Sequence, residues 1–398
     1  MPGLRRENPR RPSLLPVGPS YFPRLMHLYV HVPFCARRCS YCDFAIAVRR
    51  EVPSRDFADA IRMEWTRCLD DPLWDSGSGP EPITTIYFGG GTPSRLDPVS
   101  VEAMLAQFAR DRHIAPGAEI TLEANPEDVT RDRVALWRSS GINRVSLGVQ
   151  SFHPGVLSWM HRTHDAAQAR DAVELLRSRG IENLSLDLIF GVPREVPRSW
   201  EADLDQALAL SPDHLSFYGL TVESATALGK WVERGEIPPA DESLAAEEYL
   251  HAHATVVAQG WNHYEVSNAA SPGRESRHNA GYWAREPFLG LGPSAHSGAG
   301  TRRRWNVRHW AAWQHDLLAG LTVTAGEEQL TPEQITLEDR YLGLRTSRGL
   351  PEADIPSELR ASWIREGWAR AVGGRVVLTI QGWLRLDALL TAPGWDGR

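Results

Sequence analysis

Three of the chain's four cysteines fall in one short run, Cys35-Ala-Arg-Arg-Cys39-Ser-Tyr-Cys42. Thiolates are soft ligands, and the metals they favour are zinc and the irons of iron–sulfur clusters. Structural zinc and ordinary clusters take four protein ligands, so three thiolates in one loop form an incomplete set. A four-iron cluster held this way keeps one iron open, where chemistry or a small chelating ligand can sit. The competing reading is structural zinc with His31 or His27 as fourth ligand. Cys68 lies on the apolar side of a helical pattern through Phe57, Ile61, Trp65 and Leu69. It therefore reads as a buried structural thiol. Such clustering in a chain of 398 residues points to a metal site in a reducing, cytoplasmic compartment rather than to a disulfide framework.

Other groups fit a site around that loop. Gly89-Gly90-Gly91-Thr92-Pro93 follows an apolar run, and glycine backbone there can approach a ligand closely and offer N–H donors. A plain strand-to-helix turn explains the same residues. Glu123, Gln150 and Asp187 each fall at or near the C-terminal end of a predicted strand, the rim where α/β folds bind ligands. Each alone can satisfy a turn; their convergence on one rim favours a site. In Arg277-His278-Asn279-Ala280-Gly281-Tyr282-Trp283, His278 is a candidate heme ligand between two flat aromatic side chains. On chemistry alone a packed aromatic turn accounts better for it.

The elements that must position these groups alternate. Strands are expected at His27–Val32, Ile83–Phe88, Glu119–Glu123, Arg144–Val149, Asn183–Phe190 and His214–Tyr218. Helical patterns run through Phe57–Leu69, Thr130–Ser139, Ala166–Arg179 and Ser199–Leu210. Six strand–helix repeats imply parallel strands with right-handed crossovers, in a barrel or a doubly wound sheet. A helix over 242–259 and an aromatic, histidine-rich stretch over 261–313 follow. Helices over 332–345 and 357–368, a hairpin turning at Gly373-Gly374 and an element over Gln381–Leu390 then resemble a winged helix. The expected division is 1–25, a disordered basic leader with six prolines and five arginines; 26–240, the core; 241–320, the aromatic connecting region; and 321–398, the C-terminal domain. Translation starting at Met26 is the alternative to a translated leader.

Composition excludes several classes. The balance of 43 Lys+Arg against 50 Asp+Glu gives a net charge of −7, the wrong sign for a general nucleic-acid or anionic-membrane binder. Residues 321–398 hold nine arginines and eleven acidic residues, which argues against a DNA-facing winged helix. Lys230 is the only lysine, so a Walker A loop cannot exist. No apolar run approaches the roughly 20 residues of a membrane span.

The C-x-x-x-C-x-x-C run after the first strand resembles the signature of the radical S-adenosylmethionine (SAM) superfamily. That resemblance implies a 4Fe–4S cluster on Cys35, Cys39 and Cys42, its open iron chelated by SAM, and reductive cleavage to a deoxyadenosyl radical. The implied fold is α/β, a partial (β/α)6 TIM-like barrel with a smaller α+β, winged-helix-like C-terminal domain. Tyr29-Val-His-Val-Pro-Phe-Cys35, Phe88-Gly-Gly-Gly-Thr-Pro-Ser94, Glu123-Ala-Asn-Pro, Leu147-Gly-Val-Gln150-Ser-Phe, His161-Arg162 and Asp187-Leu-Ile-Phe-Gly-Val-Pro193 narrow the match. They resemble the oxygen-independent coproporphyrinogen III oxidase group. By that resemblance Tyr29, Gly90, Gly91, Thr92 and Glu123 meet SAM, while Gln150, Arg162 and Asp187 line the cofactor cavity, with Tyr41 a further candidate. His-Asn-x-x-Tyr-Trp is similar to a motif of the group's heme-chaperone branch, which makes His278 the expected heme ligand. The oxidases carry a fourth cysteine two positions beyond the third; this chain reads Cys42-Asp43-Phe44, and phenylalanine can neither ligate nor carry a proton. The expected function is heme transfer to an acceptor protein, with an electron donor for the cluster. The alternative is oxidative decarboxylation of coproporphyrinogen III to protoporphyrinogen IX.

Overall fold

The computed structural model describes residues 27–71 and 82–395. The expectations about a leader over 1–25 and a start at Met26 lie outside them. One sheet dominates the chain. Its strands are β1 (His27–Val32), β2 (Ile83–Gly90), β3 (Ile114–Ala124), β4 (Arg144–Gln150), β5 (Asn183–Phe190), β6 (His214–Gly219), β7 (Asn262–Glu265), β8 (Asn268–Ala270), β9 (Phe288–Leu291), β10 (His296–Ala299), β11 (Arg302–Asn306) and β12 (Thr324–Gln329). In space they run β12-β11-β10-β9-β1-β2-β3-β4-β5-β6-β8-β7. Neighbours from β1 to β6 are parallel, and β9 joins β1 in parallel. The strands beyond β9 and β6 are antiparallel.

The α/β expectation holds, with the six predicted strands in consecutive order. The stretch 261–313, read as connecting, instead supplies strands to both margins of the sheet. The core helices are Ser54–Leu69, Pro98–Asp111, Arg131–Ser139, Ala166–Ser178 and Trp200–Ala209; that at 98–111, with Asp97 accepting from the Val99 amide, was missing from the sequence reading.

Alternation along the strands decides what faces where, because successive side chains point to opposite faces. Leu28, Val30, Val32, Ile86, Phe88, Leu122, Val145, Leu147, Leu186 and Phe217 are fully buried in the apolar core. The intervening positions Thr85, Glu119, Thr121, Arg144, Ser146, Ser185, His214 and Ser216 are buried and polar. The sheet therefore wraps a polar interior while its apolar face carries the helices. The C-terminal unit follows the expected order: helices Pro332–Leu344 and Ser357–Arg365, then a hairpin of Ala369–Val372 and Arg375–Leu378. Gly373 and Gly374 turn it at φ +57° and +76°. The element expected over 381–390 is broken into two short helices, Ile380–Trp383 and Leu386–Leu390.

Helix Ser54–Leu69 is pinned to the sheet margin through Glu64, which accepts from the Gly292 amide at 2.7 Å and Asn306 Nδ2 at 2.6 Å. Burial nevertheless lifts this carboxyl from its ordinary 4.5 to about 7. Between those pH values the folded chain holds a proton that the unfolded chain releases. The contribution is complete below pH 4.5 and is lost as pH rises through 7, by up to about 3 kcal/mol. Denaturant titrations at pH 4.5 and 7.5 are expected to show a smaller loss of stability for Glu64→Gln than for wild type. Equal losses would remove Glu64 from the effect.

Candidate functional site

The cysteine loop begins where β1 ends. Its base is a short parallel pair, Phe34–Cys35 against Ala47–Val48, anchored by Phe34 edge-on to Phe57 and Trp310 at 5.6 and 5.2 Å. Three polar ties hold the loop: Arg37 Nη2 to the Arg162 carbonyl at 2.8 Å, Ser40 Oγ to the Trp159 carbonyl at 3.3 Å, and the Leu228 amide to the Ser40 carbonyl at 2.8 Å. Cys35, Cys39 and Cys42 all rim one cavity of about 470 Å³ at the C-terminal ends of the parallel strands. Thr92 Oγ1 donates to Cys35 Sγ at 3.5 Å, and Arg162 Nη1 to Cys39 Sγ at 3.8 Å.

The thiols fit a cluster better than a single ion. A structural zinc takes four protein ligands, and the loop offers three thiols. Neither proposed fourth ligand is available. His31 hydrogen-bonds Tyr29 Oη and the Ala45 carbonyl, each at 3.1 Å, and His27 bonds Thr85 and Glu286. Three soft donors at the rim of one cavity suit a larger, many-cornered group that keeps one corner free. Cys68 packs against the core and accepts from Arg304 Nη2 at 3.7 Å, as a structural thiol should.

The same cavity is lined by Gly90, Gly91, Thr92, Glu123, Gln150, Arg162 and Asp187, with Tyr41 on the loop itself. Most of the expected residues therefore meet. Glu123 Oε1 accepts from Tyr87 Oη at 2.9 Å and Oε2 from the Gly90 amide at 3.0 Å. Burial lifts its carboxyl to about 7. Ser146 Oγ donates to both Asp187 oxygens, at 2.9 and 3.1 Å, and burial raises this carboxyl too. Arg162 Nη2 donates to Asn125 Oδ1 at 2.7 Å and the Gly148 carbonyl at 2.9 Å. Gln150 reaches the cavity from a left-handed backbone, φ +68°.

Three expectations change. Tyr29 lies outside the cavity lining: its ring stacks on Tyr87 at 6.1 Å, and it borders a separate hollow with Tyr282 and Trp283. Neither glycine amide expected to face a ligand is open, since Gly90 donates to Glu123 and Gly91 to the Val32 carbonyl at 2.7 Å. The glycines are required by packing instead. A Cβ on Gly90 would sit 2.6 Å from the His31 ring, and one on Gly91 2.9 Å from the Phe34 carbonyl oxygen. His278 is 1% exposed in the sheet's polar interior. Its Nδ1 pairs with Thr85 Oγ1 at 2.6 Å and its Nε2 with Tyr282 Oη at 2.8 Å, so it offers iron no free nitrogen. The sequence reading passed over Tyr87 and Ser146, and it quoted Asn125 and His161, the latter at φ +59°, only within motifs and without a role. Strict alternation in β2 and β4 was the signal that marks Tyr87 and Ser146 as inward-facing.

The radical SAM superfamily profile matches residues 29–207. The heme chaperone HemW of Mycobacterium tuberculosis is 38% identical over 375 residues, covering 91% of this chain and 93% of that one. The chain belongs to the HemW family. The HemW of Bacillus subtilis is 32% identical, with 81% of this chain and 84% of that one covered. Among solved structures, the coproporphyrinogen III oxidase HemN from Escherichia coli superposes with a TM-score of 0.78 at 21% identity, covering 95% and 92% of the two chains. HemW and HemN thus share a fold, and at that identity the likeness carries the fold alone.

Proposed function

We propose that this chain is a heme chaperone of the radical SAM type. It holds a 4Fe–4S cluster on Cys35, Cys39 and Cys42, with SAM beside it, and passes heme to an acceptor protein in the cytoplasm. The observation that carries this reading is Phe44, 58% exposed at the mouth of the thiol-lined cavity. A hydrocarbon ring stands where decarboxylase chemistry would call on a thiol. The identity to proteins named as heme chaperones supports the same reading.

When bound, the cluster supplies an electron and an open iron to SAM. The chain's own residues do the rest. Thr92 and Arg162 donate toward the sulfurs of Cys35 and Cys39 and so hold them on the cavity wall. Glu123 and Asp187 give the cavity two buried carboxyl groups for a cationic ligand. Among the described residues no helix is long and apolar enough to cross a membrane.

The test is an anaerobic turnover assay on reconstituted protein with SAM, reductant and coproporphyrinogen III. The expected result is an intact cluster and no protoporphyrinogen. Protoporphyrinogen formation would establish the oxidase instead.

A further inference from the structure

Behind the cysteine loop, on the side away from the strand ends, lies a second cavity of about 320 Å³. Its walls include Phe44, Ile46 and Trp310, and its rim carries Arg38, Arg49 and Arg308 together with His309. Among the described residues the three guanidinium groups donate only to main-chain carbonyls: Arg38 to Cys42 at 3.3 Å, Arg49 to Val48 at 2.9 Å, and Arg308 to Asp43 at 3.0 Å. None of the ion pairs among the described residues involves them, although arginines elsewhere in this acidic chain are commonly paired. Helix Trp310–Leu318 starts at this cavity with no acidic residue in its first turn, and His309 precedes it without making a side-chain cap. The helix adds its positive end to the three cations. The His309 imidazole is exposed, and no hydrogen bond ties it to another described residue.

An apolar slot with uncompensated cations and an open imidazole fits a flat apolar ring bearing carboxylates and a metal. We propose that this cavity is the heme-docking site, with His309 as iron ligand and Arg38, Arg49 and Arg308 receiving the propionates. The proposal rests on the chaperone reading and gives the cargo a location separate from SAM. It also supplies what His278 lacks, a nitrogen not already spent. A slot of this size takes in part of a macrocycle and leaves the remainder exposed to an acceptor. Phe44 and Ile46 line both cavities, so the same two side chains separate the cargo from the cluster side.

The test is an anaerobic titration of the full-length, reconstituted protein with hemin and, in parallel, metal-free protoporphyrin IX, read at the Soret band. Cluster content and circular dichroism of each variant report folding. His309→Ala, which removes no helix cap, is expected to weaken hemin binding at least tenfold and to change its spectrum, with protoporphyrin binding unaltered. Arg49→Glu, chosen because its side chain holds only its neighbour's carbonyl, is expected to weaken both ligands. His278→Ala that keeps its cluster is expected to retain the wild-type hemin spectrum. Hemin bound by His309→Ala and Arg49→Glu as by wild type overturns this site and leaves the chaperone reading standing. So does a spectrum lost in His278→Ala and kept in His309→Ala. A wild-type protein that binds no hemin overturns the chaperone reading itself.

Discussion

Cys39→Ser is expected to yield a protein with essentially no acid-labile sulfide after reconstitution and a circular dichroism spectrum unchanged from wild type. Two thiolates cannot hold a cluster that already lacks a fourth protein ligand. The loop, however, does not depend on the metal for its path. Arg37 and Ser40 tie it to Arg162 and Trp159, the Leu228 amide donates to the Ser40 carbonyl, and Phe34 roots it between Phe57 and Trp310. Cys68→Ser is the control, expected to reconstitute fully because that thiol packs with Arg304 instead. Sulfide and iron retained at wild-type levels in Cys39→Ser would remove this residue from the ligand set.

The second large effect concerns stability. Glu265 at the end of β7 has a fully buried side chain, and Arg345 Nη2 reaches it at 2.8 Å from just beyond helix Pro332–Leu344. Arg345 also lies 4.0 Å over the Trp283 ring, and the Ser267 amide donates to Glu265 Oε1 at 3.2 Å. Arg345→Ala would leave a buried carboxylate without its cation, at a cost of about 3–5 kcal/mol. Glu265→Gln combined with Arg345→Met removes both charges together, so it is expected to recover most of that loss in a denaturant titration. A double variant as unstable as Arg345→Ala would show that shape, not charge, holds this junction.

Much of the core was legible because its causes are local. The period of two in Leu28-Tyr29-Val30-His31-Val32 and the spacing of Phe57, Ile61, Trp65 and Leu69 record which face each element buries. The cysteine loop was legible because its ligands are adjacent in sequence. His278 shows the opposite case. Its environment is set by Thr85, in a distant strand, and no local pattern announces that both nitrogens will be spent. The same holds for β9 to β12, whose short strands acquire meaning only from partners far along the chain. Gly90 and Gly91 line the cavity, and their packing is set by residues far from them in sequence. A triple glycine signals close approach, and the chain's own His31 and Phe34 are among what approaches.

The position of β1 bears on when this protein can acquire its cluster. The strand that launches the cysteine loop precedes every other strand of the sheet in the sequence among the described residues, yet it sits between β2 and β9, with His27 opposite Phe288. Trp310, which wedges the loop's base, follows later still. The thiols therefore emerge early and remain without their finished wall until most of the chain has been synthesised. Pairing of such distant segments is intrinsically slow. A cluster on these thiols would therefore be delivered only after β9 and Trp310 have been made, and the cysteines must be kept reduced through that interval.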